Sequence, residues 1–170
     1  MSYLRAFILC LPLAVFPGLA AAQTASVAFG TVEADPTLPV EVTADNLAVN
    51  QADGSAEFTG NVLIVQGIMR LSADNVLVIY KTVSEGGGKA GIERLEATGN
   101  VVLVSGPDAA ESRYAEYTID KGTIVMTGDV LLTQETGTLA SNRLEVNLTS
   151  GTAKMDGRVK TILNPNGGSN

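Results

Sequence analysis

Apolar and polar residues alternate along most of the chain beyond residue 22, with the period of two that a half-buried β-strand requires. Residues 144–148, for example, read Leu-Glu-Val-Asn-Leu, and residues 94–98 read Arg-Leu-Glu-Ala-Thr. No stretch beyond residue 22 shows the 3.6-residue apolar stripe of an amphipathic helix. The pattern therefore predicts an all-β chain.

Four segments repeat one plan, in which an alternating run, a turn and a second alternating run follow one another. The first runs include residues 44–47, 73–76, 114–117 and 141–144. The second runs pass through Gly60, Gly99, Gly128 and Gly157, and the first interval is longer because a glycine-rich insertion occupies residues 84–91. The repeat predicts four antiparallel strand pairs of similar design.

The recurring glycine occupies an apolar-side position between two large residues in every second run. Glycine weakens a strand, so its repetition indicates a bulge, a bend or a close approach of backbone. The alternation of the first runs also slips, at Asp45-Asn46 and at Asp74-Asn75. Because a bend repeated at one level curls a sheet, we predict an open, twisted β-jelly roll or a short β-solenoid.

The first 22 residues have the order of a secretory signal peptide, with Arg5, an apolar stretch and then Ala20-Ala21-Ala22. A retained membrane anchor is the alternative, but the apolar stretch is shorter than the roughly 20 residues that a spanning helix needs. We interpret residues 1–22 as a cleaved signal peptide and residues 23–37 as a leader. One domain would then occupy residues 38–163, and residues 164–170 would be a flexible tail.

Composition removes several classes of function. The chain has 11 Lys+Arg against 18 Asp+Glu, a formal net charge of −7. Nucleic acid is not an expected partner, because phosphate contacts need clustered cations. Histidine is absent, and the one cysteine, Cys10, lies in the predicted signal peptide. The commonest catalytic bases, nucleophiles and zinc ligands are therefore missing, and we predict no catalytic residues, no metal and no cofactor.

Stacked repeats would collect the inward-facing Val, Leu, Ile, Met and Phe side chains into one apolar interior. On this pattern alone, a core filled by its own side chains is the commoner outcome, and a structural β-repeat protein would have such a core. A β-solenoid enzyme acting on polysaccharide is a second alternative. It would need a carboxylate pair and aromatic platforms for sugars, but the chain has four tyrosines and no tryptophan.

Three stretches carry a more specific signal. Residues 40–47 read Val-Glu-Val-Thr-Ala-Asp-Asn-Leu, residues 56–62 read Ala-Glu-Phe-Thr-Gly-Asn-Val, and residues 71–76 read Leu-Ser-Ala-Asp-Asn-Val. Together they resemble the OstA-like (LptA) family of periplasmic lipopolysaccharide-transport proteins, over about residues 38–163. The resemblance implies an open β-jelly roll whose hydrophobic groove carries lipid A acyl chains in the periplasm. It also implies head-to-tail self-association and a bridge between inner-membrane LptC-like and outer-membrane LptD-like jelly-roll domains.

The resemblance assigns a role to the inward apolar positions and to the sheet edges. The lipid-binding groove is expected to be lined by Phe58, Val62, Ile64, Val76, Val78, Val101, Leu103, Tyr117, Ile119, Met126, Val130, Leu132, Leu144, Val146, Met155 and Val159. Residues 40–44 and 155–163 are the expected first and last strands. Copies would pair at these edges, at Val40, Val42, Ala44, Val159 and Thr161. Alternatively, Arg158, Lys160 and the flanking segments protect the edges from pairing.

Overall fold

The computed structural model describes residues 24–29, 37–52, 54–81 and 91–163. Within these ranges the chain forms strands and one 3-10 turn, Ile119–Lys121, and none of its helices is long and apolar enough to cross a membrane. The strands are β1 (Thr24–Ala28), β2 (Glu41–Thr43), β3 (Asn46–Asn50), β4 (Ser55–Gln66), β5 (Met69–Tyr80), β6 (Ile92–Ser105), β7 (Asp108–Thr118), β8 (Thr123–Gln134), β9 (Gly137–Asn147), β10 (Thr152–Asp156) and β11 (Lys160–Leu163).

All eleven strands belong to one antiparallel sheet in the order β1-β10-β9-β8-β7-β6-β5-β4-β2. At one end β3 also pairs with β4, and at the other end β11 also pairs with β9. Successive hairpins from β4 to β9 therefore lie side by side, as the four-fold sequence repeat predicts. The all-β fold class and the open jelly-roll architecture are confirmed.

Each glycine-containing run turns a corner at the repeated position. Gly60-Asn61, Gly99-Asn100, Gly128-Asp129 and Gly157-Arg158 all have positive φ at both residues. The pairing register with the neighbouring strand differs by one residue before and after each of these residue pairs. The strand that contains the glycine therefore has one extra residue at this point, which is a β-bulge. The extra residue lies beside the glycine, where the sequence indicated a bulge, a bend or a close approach of backbone.

The corners divide the sheet into two arms. Arm A contains β2, β11 and residues 62–73, 101–112 and 130–141; arm B contains β1, β3, β10 and residues 55–59, 75–80, 92–98, 114–118, 123–127 and 143–147. The ladders place Gln66 level with Asp108, and Tyr117 lies nine residues farther along β7. In a flat sheet, Gln66 and Tyr117 would therefore be about 30 Å apart along the strand direction. The Tyr117 hydroxyl nevertheless donates a 2.5 Å hydrogen bond to Gln66, so the two arms face each other.

Polar side chains contact one another on the outside of three of the four corners. The Asn61 amide donates to the Asp45 carboxylate at 2.7 Å, and the Asn100 amide donates to Asp74 at 2.9 Å. In the third repeat an Arg113–Asp129 ion pair of 2.7 Å takes the same place. The first-run residue packs directly over the glycine, which is why a larger residue does not fit there.

Three expectations from the sequence need correction. β1 lies inside the stretch interpreted as a leader, and it covers the edge of β10. Residues 155–163 are not one strand, because the Gly157-Arg158 corner separates β10 from β11 and leaves Val159 between them. Ile119 lies in the 3-10 turn instead of a strand. The predicted signal peptide, the predicted tail and residues 84–90 of the glycine-rich insertion lie outside the described residues.

Replacing Gly99 with alanine tests the corner. Gly99 has φ +77°, and an added Cβ would meet the Asp74 carboxylate. We predict that Gly99→Ala lowers the free energy of unfolding by about 1–2 kcal/mol, since a left-handed conformation is costly for residues with a Cβ. Gly91→Ala is the matched control, because Gly91 has open space around its Cβ position. Urea denaturation would measure both, and equal stability of the two variants would contradict a strained corner.

Candidate functional site

The inward-facing side chains form rows that run across the strands, because the ladders keep equivalent positions of neighbouring strands in register. In arm B one row contains Leu47, Phe58, Val76, Ala97, Ala115, Met126, Leu144 and Met155. The next row contains Val49, Ala56, Val78, Leu95, Tyr117, Ile124, Val146, Ala153 and Val27. The corresponding middle row of arm A contains Val42, Ile64, Leu71, Leu103, Ala110, Leu132 and Leu139.

The side chains that fill the interior become larger with distance from the corner. In the arm A row beside the corner, valine alternates with a small residue: Val62, Ala73, Val101, Ser112, Val130, Ser141. Larger side chains such as Ile64, Leu103 and Leu132 fill the next row outward. Small residues allow the arms to approach closely where they join. We call the side opposite the corner, where the free ends of both arms meet, the mouth.

The structure brings the sixteen predicted groove residues together in this interior. Thirteen of them are buried, and Phe58, Ile119 and Val159 are partly buried and pack against the same cluster. All thirteen are 2% exposed or less. The two arms therefore pack their own side chains against each other, and the described interior is closed.

The mouth is closed by a buried polar contact that the sequence analysis missed. Gln66, at the end of β4, accepts the hydrogen bond from the Tyr117 hydroxyl and donates 2.9 Å to the Leu38 carbonyl. Gln66 and Tyr117 are each only 2% exposed. The contact joins arm A to arm B across the mouth.

A second glutamine reaches across the mouth from the equivalent strand end. The Gln134 amide donates 2.7 Å to the Ala28 carbonyl at the end of β1 and 3.1 Å to the Asp108 carboxylate. Both glutamines extend the inward alternation of their strands, after Val62 and Ile64 in β4 and after Val130 and Leu132 in β8. A polar residue at an inward position was therefore the sequence signal for this contact.

The two ends of the interior expose apolar side chains. Leu47 and Val49 of β3 continue the interior rows but are 56% and 63% exposed. At the opposite end, Ile162 and Leu163 of β11 are 58% and 68% exposed. Among the predicted edge residues, Val42 lies in β2, Val40 and Ala44 flank it, and Thr161 lies in β11. The structure thus places the predicted edge residues at or beside two outer strands of the sheet.

Alkaline pH tests the burial of Tyr117. Burial raises the pKa of its phenol to about 12 from 10.0, so the folded protein holds the proton more strongly than the unfolded chain. This contribution to stability is complete below pH 10 and is lost as the pH rises toward 12. We predict that at pH 11 the wild type has lost about 1.4 kcal/mol more than Tyr117→Phe, measured by urea denaturation. Equal alkaline losses would show that the phenol is solvated.

Comparison with known proteins places this architecture in a family. The family model described as LptA/(LptD N-terminal domain) LPS transport protein matches residues 41–152. An uncharacterised protein of Rhizobium meliloti (strain 1021) is 34% identical over 133 residues, which cover 75% of this chain and 72% of that protein. The lipopolysaccharide export system protein LptA of Escherichia coli (strain K12) is 25% identical over 126 residues, which cover 71% of this chain and 65% of that protein.

A solved structure shares the fold. LptH, described as the LptA homologous periplasmic component of the lipopolysaccharide transport device of Pseudomonas aeruginosa, superposes with a TM-score of 0.66 at 17% identity, covering 78% of this chain and 99% of that one. The bent sheet, the apolar interior and the family match agree with the resemblance found in the sequence. The chain belongs to the LptA/LptD N-terminal domain family of lipopolysaccharide-transport proteins.

Proposed function

We propose that this chain carries lipopolysaccharide through the periplasm by holding the lipid A acyl chains between its two arms. The observation that carries the proposal is the continuous apolar interior, whose rows run uninterrupted from β3 to β10. The lipopolysaccharide-transport family supplies the class of ligand. The periplasmic description of LptH and the predicted signal peptide support the compartment.

Acyl burial is the main source of binding free energy in this proposal. Each CH₂ group removed from water contributes about 0.8 kcal/mol, so a few acyl chains need no ion pair with the protein. This agrees with the acidic composition, since a net charge of −7 does not attract an anionic head group. Because the interior is closed by its own side chains, the arms must separate to admit a chain. The head group then stays in water outside the mouth.

The outer strands support assembly into a bridge. β2, β3 and β11 each pair with one neighbour within the described residues, and strand addition at such edges is a common mode of recognition. The exposed Leu47 and Val49 would continue the interior rows into an added copy. One family model covers both LptA and the LptD N-terminal domain, so related sheets are available as partners. We propose head-to-tail self-association and contacts with LptC-like and LptD-like domains on this basis.

Photocrosslinking from an interior methionine tests the carrier function. Met69, Met126 and Met155 are fully buried in the interior, and Met-to-Leu changes conserve volume. A Met69→Leu, Met155→Leu variant grown with a diazirine methionine analogue places the label at Met126. We predict a lipopolysaccharide adduct, detected by mass spectrometry, because an acyl chain between the arms would contact this position.

The matched control moves the label to the outer face of the same arm. A variant with all three interior methionines changed to leucine and Glu145→Met carries it opposite the interior, since Glu145 pairs with the outward Val125. No adduct is expected there. A folded protein without an adduct at Met126 would instead identify the interior as an ordinary core, as in a structural β-repeat protein.

A lysine at the exposed end of the interior tests assembly. We predict that Val49→Lys weakens self-association at least about tenfold, because lysine on an edge strand disfavours pairing with another sheet. Analytical ultracentrifugation would measure the association. Thr133→Lys is the control, because Thr133 is exposed on β8 in the middle of the sheet. Equal association of both variants would exclude this edge.

A further inference from the structure

The two edges of the mouth differ in chemistry. Arm A carries four inward polar side chains at its free end, here called the polar lip: Gln66, Ser105, Asp108 and Gln134. The first three are buried. Arm B presents apolar side chains at its free end, namely Phe29, Ile92, Ile119 and Leu148. A molecule lying in the mouth would therefore meet a row of polar side chains on arm A, and on arm B mainly apolar side chains together with the Tyr117 hydroxyl.

The polar lip is one row of the sheet. Ser105 pairs with Asp108, and Met69 lies between Gln66 and Ser105 in the ladder. Gln134 is adjacent to Asp108, to which its amide donates. Deeper in arm A the buried polar side chains are Ser112 and Ser141, whose hydroxyls donate to carbonyls of their own strands. The lip is thus where the apolar interior first meets polar groups able to face a ligand.

The chemistry of the lip selects neutral groups. Its side chains are two amides, a hydroxyl and a carboxylate, and it contains no cation. An amide both donates and accepts, while an ionised carboxylate only accepts. Asp108 would repel a phosphate but accept from a hydroxyl or an amide N–H. An amphiphile whose chains occupy the interior would place such groups, where its chains join the head, beside this row.

We propose that the polar lip binds the neutral amide, ester and hydroxyl groups at the head of the acyl chains. When a chain enters, Gln66 gives up its hydrogen bond to Tyr117 and forms one to the ligand. The inference rests on the proposed function and adds which part of the ligand the protein recognises. In the closed mouth the Gln66 carbonyl oxygen accepts a hydrogen bond from Tyr117 of the opposite arm, and separation of the arms removes this hydrogen bond.

Two variants break the same cross-mouth hydrogen bond, and only one of them alters the lip. Tyr117→Phe removes the hydroxyl that bonds to Gln66 and leaves Gln66 in place, whereas Gln66→Leu removes the amide of the lip. Gln66→Met replaces Gln66→Leu if that variant does not fold. Two fluorescent probes of equal carbon number would be titrated into each protein. One is a long-chain acyl amide with a hydroxyl on its chain, and the other is a plain alkyl chain joined to the same dye.

We expect Gln66→Leu to bind the hydroxyacyl amide about five- to tenfold more weakly than wild type, the effect of one lost hydrogen bond. Tyr117→Phe should bind it at least as tightly as wild type, because the competing partner is gone. Both variants should bind the plain alkyl probe at least as well as wild type. Equal affinities of the two variants for the hydroxyacyl amide would overturn the lip assignment alone. Failure of the wild type to bind either probe would overturn the acyl-binding groove itself.

Discussion

The structure depends on a pair of consecutive left-handed residues repeated at one level of the sheet. Gly99-Asn100 and its three equivalents insert one extra residue into alternate strands and bend the sheet along one line. Without that bend, Gln66 and Tyr117 would stand about 30 Å apart along the strand direction, and the inward rows would face water. The bend brings two apolar faces together, so it creates the core, the mouth and the ends at once. Asp45 and Asp74 hold the corner from outside through single amide hydrogen bonds.

Folding one sheet onto itself separates the forces that hold each arm from those that hold the arms together. Backbone ladders run within each arm, whereas the contacts described across the mouth are side-chain packing and glutamine hydrogen bonds. Moving the arms apart therefore costs apolar contacts without breaking the ladders. An entering acyl chain restores apolar contacts of the same kind. A closed interior is thus compatible with the proposed carrier function, because a ligand would replace contacts that the arms make with each other.

The sequence predicts the features that repeat and misses those that occur once. Period-two alternation and the four glycines predict the strand pairs, the corner and sixteen inward residues of which thirteen are buried, since each follows from local backbone geometry. β1 was missed because its short Thr-Ala-Ser-Val-Ala run follows the predicted signal peptide and has little alternation. The pairing of Gln66 with Tyr117 was not predictable, because it depends on how far the arms close. The polar residues at the inward positions Gln66 and Gln134 were visible in the sequence, but their hydrogen-bond partners were not.

The direction of the interior is consistent with the proposed bridge. The apolar rows run across the strands, which is the direction in which hairpins were added along the chain. Adding another copy at β2 and β3 is geometrically the same step as adding another hairpin, so the interior of one copy would continue into the next. The exposed Leu47 and Val49 are the last members of rows that otherwise lie buried. Leu47 and Val49 are therefore exposed because the repeat ends there. A further strand with the same alternation of apolar residues would cover them.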